Sequence, residues 1–216
     1  MSNRGILVTA LFTVIGIILL ALMTFWVGYH AAYSANRAAA GAVTISTNSS
    51  GQPVAHISLS IQQEVGVGPN AAWLGYQTRT NPPHPGTIFT VPANALVTMD
   101  IHNFDSTTAL RNYFFTKVQG TIGGVEYVNG KRITVMNPDD LSHTFTFPAA
   151  GVSVPMMGIP NNARAGAFED MRFSFRAPSR KGVYRWQCIV PCGWGTYGNG
   201  GPMGEIGYMS GLITVN

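Results

Sequence analysis

The apolar positions divide the chain into two unlike parts. From Ile6 to Gly28 twenty-three residues, ILVTALFTVIGIILLALMTFWVG, run without a charge. As a helix rising about 1.5 Å per residue they cross a hydrocarbon core of about 30 Å once. This predicts one transmembrane helix, with residues 1–30 as an amino-terminal anchor. The competing reading is a cleaved signal peptide, whose apolar stretch is usually only about 7–15 residues. Trp26, Tyr29 and Tyr33 suit an aromatic belt at the membrane interface, and Arg4 on one side is offset by Arg37 on the other. Residues 31–53, AAYSANRAAAGAVTISTNSSGQP, are small and polar and read as a linker.

Beyond the linker the apolar period changes to two. VAHISLSI alternates like a strand, and a loop carrying Trp73, Tyr76 and Pro82 to Pro85 follows. Thr87 to Val91, Pro92-Ala93-Asn94 and Ala95 to Asn103 read as strand, tight turn, strand. Leu96, Thr98, Asp100 and His102 fall on one face, and Val97, Met99 and Ile101 on the other. Val125 to Val128 and Lys131 to Met136 flank Asn129-Gly130, the pair that most readily takes the positive φ angles of a two-residue hairpin turn. His143 to Phe147, Met171 to Phe175, Val183 to Cys188 and Leu212 to Val215 complete the set. Seven or more short strands and no amphipathic helix predict an all-β domain over residues 54–216, a Greek-key sandwich or barrel.

Composition narrows the function. The charge is +4 with 10% charged residues, and Arg172, Arg176, Arg180, Lys181 and Arg185 supply five of the thirteen basic side chains. At strand spacing these read as a solvated face, or as a docking surface for an acidic partner. With an anchor and no interleaved aromatic stack, nucleic acid is excluded as a partner. Asn48-Ser49-Ser50 matches a glycosylation acceptor.

The chemistry gathers near the carboxyl end. Cys188 and Cys192 lie four apart before a Gly-rich loop that also carries Met203 and Met209. Thiolate, thioether and imidazole donors select copper over hard cations, and His143 at the start of SHTFTF is the best placed imidazole. In an oxidising compartment the same two cysteines would instead close a short disulfide loop. An anchored cysteine transpeptidase is disfavoured, because the only charged side chain after Cys188 is Glu205 and an activated thiolate needs a cation nearby.

TIFTVPANALVTMDIHN, SHTFTF, FSFRAPSRKGVYRWQCIVPCGWG and GYMSGLITV together resemble the cupredoxin domain of subunit II of haem-copper oxidases. The one-helix variants of that subunit share the layout. The resemblance implies a cupredoxin-like sandwich and a copper site of the CuA type. Residue by residue it carries over His143, Cys188, Cys192 and the carbonyl of Val190, with Met209 as the methionine ligand and Met203 as a second thioether. It departs at Thr196, where the family has its second histidine, and all five histidines precede Cys188. The loop TYGNGGPMGEIG and the stretch from Asn103 to Leu141 both read as additions to the family pattern. A copper lacking that imidazole would take Met203, Glu205, a backbone oxygen or His102, or the site would be mononuclear. Trp186, Trp194 and Tyr197 are expected to form a buried apolar frame.

The implied function is copper-dependent electron transfer from a single-pass protein of the cell membrane, its domain on the extracellular or periplasmic side. Its partner is a redox protein or membrane complex. The alternative is a metal-free, disulfide-stapled scaffold acting as an accessory subunit. In either case it reads as a carrier or accessory subunit rather than a self-contained enzyme.

Overall fold

The computed structural model describes residues 12–27, 43–66, 68–80 and 86–216. The chain falls into two compact units, Met1–Asn36 and Arg37–Asn216. In the first, residues 12–27 form a helix whose side chains are all exposed. Among the described residues no helix is long and apolar enough to cross a membrane. Residues 6–11 and 28 of the expected span lie outside the described residues, as do Arg4, Tyr29, Tyr33, Arg37, Pro82 to Pro85 and residues 31–42 of the linker.

The second unit is a two-sheet β-sandwich. Its strands are β1 (Val43–Thr47), β2 (Pro53–Gln62), β3 (Gly75–Thr78), β4 (Ile88–Val91), β5 (Leu96–Asn103), β6 (Glu126–Val128), β7 (Lys131–Ile133), β8 (Leu141–Phe147), β9 (Val152–Met157), β10 (Glu169–Arg176), β11 (Gly182–Gln187) and β12 (Ser210–Val215). One sheet runs β1-β2-β5-β10-β6-β7 with β3 also on β2, and the other runs β4-β12-β11-β8-β9. The ten residues of β2 give the first half of one edge to β1 and the second half to β3. Val43–Thr47, placed in the linker by sequence, is therefore a sheet strand, and Tyr76, placed in a loop, is a buried strand residue.

Alternation explains the core. Along β5 every second residue is buried, Val97, Met99 and Ile101 inward against Thr98, Asp100 and His102 outward. Asn94 takes the positive φ of 58° that the tight turn before β5 requires. That turn does not make a hairpin: it passes the chain between sheets, with β4 parallel to β12 and β5 parallel to β2. The Asn129-Gly130 turn does join a hairpin, β6 to β7, with φ of 50° and 78°. β6 adds it to the edge of β10, so the Asn103–Leu141 addition extends a sheet rather than looping free.

Trp186 is wholly buried between the sheets. It stacks on Phe145 at 4.9 Å and meets Tyr76 edge-on at 4.9 Å, and its indole N–H donates to Thr87 O at 2.9 Å. Gly211 of β12 permits this approach, because a Cβ there would lie 1.8 Å from Thr87 O. The frame expected around Trp186 holds for that residue alone: Trp194 is 55% and Tyr197 84% exposed.

Candidate metal centre

Two loop-strand junctions of the five-stranded sheet meet at one end of the core. β8 brings His143 just past an irregularity in its pairing with β9, where the register shifts between Leu141 and His143. Such a bulge bends a strand and re-aims the local side chains. β11 ends immediately before Cys188, and the following turn returns Cys192 to the same place.

His143 Nδ1 lies 2.9 Å from Cys192 Sγ, and the two sulfurs are 3.4 Å apart. That separation exceeds a disulfide bond, and both cysteines are free thiols. Val190 O lies 2.9 Å from Cys192 Sγ and 3.5 Å from Cys188 Sγ. The imidazole and the two sulfurs lie within 4.8 Å of one another. His143, Cys188 and Val190 are almost fully buried and Cys192 is half-buried.

Each donor is held by a second set of bonds. His143 Nε2 donates to Asp105 Oδ2 at 2.9 Å. Asp105 in turn accepts from Ser106 N–H at 2.8 Å and from the Gln63 side chain. Cys188 Sγ accepts from Thr144 N–H at 3.4 Å, and Thr144 Oγ1 accepts from Ile189 N–H at 2.9 Å. Tyr76 Oη donates to Thr144 O at 3.0 Å, fixing the strand that carries the histidine. A histidine whose far nitrogen is tied to a carboxylate presents its near nitrogen in one orientation.

Electrostatics follow from this packing. Burial works to lower the His143 pKa, but Asp105 on one side and the Cys188 thiolate on the other outweigh it and push it up to about 9. Burial opposes ionisation of Cys188, yet hydrogen bonds from Cys192, His143 and Thr144 bring its thiol well below the ordinary range. Cys192, donating to that thiolate and itself buried, is held well above it. The shared environment thus pushes the two thiols apart, Cys188 toward the thiolate and Cys192 toward the thiol, beside an imidazole whose charged form is favoured.

The structure brings together His143, Cys188, Cys192 and the Val190 carbonyl. Met203 and Met209 lie buried in the same core cluster as Cys188. Met209 is tied to the site by its backbone, its carbonyl accepting from Cys188 N–H at 2.8 Å and its N–H donating to Pro202 O at 3.1 Å. His102 belongs to another cluster, with Asp100 and Asp170. Asp105, Thr144 and Tyr76 were not legible as site residues in the sequence. Asp105 sits at the start of the added stretch, and nothing in its spacing announces a partner thirty-eight residues on.

No protein-family model and no curated protein matches the sequence. Among solved structures the chain is similar to a multicopper oxidase (10% identity, TM-score 0.38, 80% of this chain) and spans about half, 46%, of that protein's length. It is similar to a rusticyanin mutant (13% identity, TM-score 0.35, 81% of this chain and 88% of that one). It is also similar to a chain of a haem-copper terminal oxidase dimer (16% identity, TM-score 0.31, 96% and 99%). At so low an identity and TM-score none of these likenesses carries an argument.

Proposed function

We propose that this chain is a membrane-anchored, cupredoxin-like copper protein that carries electrons on the non-cytoplasmic side of a membrane. The observation that supports it is the buried group of His143, Cys188 and Cys192 with the Val190 carbonyl beside both sulfurs. Two thiols, one oriented imidazole and a carbonyl form a soft donor set that fits copper. His143, Cys188, Cys192 and Val190 would hold the metal, with Met209 and Met203 as thioether candidates. Bound copper would supply a one-electron couple.

The protein's own residues do the rest. Asp105 keeps the imidazole aimed at the sulfurs. Thr144 N–H stabilises negative charge on Cys188. The Trp186 core resists rearrangement and excludes water. The uncharged stretch from Ile6 to Gly28 supports the anchor.

The order Cys192–His143–Asp105 also has the geometry of a thiol-catalysis triad. Against that reading, the low-pKa thiol is Cys188, which is wholly buried, and Cys192 is held protonated. Loading the reduced, full-length protein in detergent with copper under anaerobic conditions separates the readings. Copper uptake with intense thiolate-to-copper absorption after oxidation, lost in Cys188→Ser and weakened in His143→Ala, is the expected result. Preference for zinc without a visible or paramagnetic signal, a stable disulfide with no copper uptake, or rapid Cys192 alkylation with turnover would each refute it.

A further inference from the structure

A second group of metal-ligating side chains stands on the outward face of the seven-stranded sheet. Asp100 and His102 are two apart on β5, on the face opposite Met99 and Ile101, and Asp170 of β10 is the direct cross-strand partner of His102. His102 Nε2 lies 3.8 Å from Asp100 Oδ1 and 3.7 Å from Asp170 Oδ1. Those distances are too long for hydrogen bonds. They come close to the roughly 3.4 Å that separates ligand atoms arranged tetrahedrally at about 2.1 Å around one ion.

Three further features point to a cation. The His102 ring is fixed by stacking on Phe168, centroids 4.0 Å apart at 17°. Asp170 Oδ1, turned toward His102, is buried and has no hydrogen-bond partner, while its other oxygen forms an ion pair with Arg172 at 3.0 Å. Asp100, with Arg172, also lines an open cleft of about 540 Å³, so one of the three ligands borders space that solvent can enter.

We propose that Asp100, His102 and Asp170 form a surface site for a divalent first-row ion of the zinc type, with water completing its shell. One imidazole and two carboxylates suit such an ion better than calcium or magnesium, which prefer oxygen alone. The site carries no net charge while Arg79 and Arg172 face the two carboxylates. The entering ion displaces Arg79 from Asp100, a half-exposed pair that contributes little by itself. Bound, it cross-links β5 to β10. The proposal does not rest on the copper reading, because none of its ligands is shared with the thiol site.

Zinc titration of the full-length protein in detergent, with bound metal measured after equilibrium dialysis, tests it. Wild type and Cys192→Ser should both take up a zinc ion that His102→Ala and Asp170→Asn bind at least tenfold more weakly. Arg79→Ala should bind it more tightly, a gain that misfolding does not imitate, and equimolar calcium should not compete. Zinc uptake by Cys192→Ser that survives addition of both His102→Ala and Asp170→Asn, or zinc uptake lost with Cys192→Ser alone, would overturn the proposal.

Discussion

Replacing Asp105 by asparagine in the metal-free protein keeps the shape of the residue and removes the charge that faces His143 Nε2. His143 rises from its ordinary 6.5 to about 9. Two and a half units at about 1.36 kcal/mol each make that rise worth about 3 kcal/mol of folding stability, of which Asp105, sharing the effect with Cys188, supplies ~1–3 kcal/mol. A histidine raised in the folded state binds its proton more tightly folded than unfolded. Its contribution is therefore complete below about pH 6.5 and disappears as the pH climbs through about 9. The asparagine variant lacks most of that contribution. Urea unfolding of both proteins between pH 6 and 10 should show the variant least stable, relative to wild type, at pH 6, with the gap narrowing above pH 9. Lost bonds to Ser106 and Gln63 add an offset that does not vary with pH. A gap that stays flat over this range would refute the argument that Asp105 holds a charged imidazole.

Three other substitutions probe the frame. Gly211→Ala forces a Cβ onto the Thr87 carbonyl, which also accepts from Trp186, and should cost ~3 kcal/mol or more by parting β4 from β12, read as a lower urea midpoint. Glu126 is buried with neither carboxyl oxygen bonded, and desolvation raises its pKa well above the ordinary range. The folded state keeps a proton that the unfolded chain releases, so stability falls as pH rises above about 4.5. Glu126→Met should therefore stabilise by ~1–3 kcal/mol at pH 7, with the gain shrinking toward pH 4; equal gains at both pH values would contradict this. Tyr76→Phe removes the donor to Thr144 O inside the core and should cost ~1–2 kcal/mol in the same unfolding assay.

Much of this protein could be read from residue order because the signals are local. Alternation along β5, the Asn129-Gly130 turn and the run from Thr87 to Asn94 each depend on neighbours within a few residues, so side-chain period and turn chemistry suffice. The Cys188–Cys192 spacing and the SHTFTF strand likewise marked the thiols and the imidazole that the fold brings together. Of the strands missed, β1 and β3 are short and rich in small or polar residues, and β9, VSVPMM, is interrupted by a proline; they gain their structure from edges that β2 and β8 offer.

Residue order alone therefore determined a β-rich domain behind an uncharged amino-terminal stretch, together with the thiols and the imidazole that could bind a metal. The tertiary structure decided that β4 and β5 join different sheets, and that Asp105 reaches His143 across thirty-eight residues. It also decided that Trp194 and Tyr197 face outward while Trp186 does not. These are long-range outcomes, set by which surfaces exclude water when the two sheets close, and no periodicity within one segment encodes them.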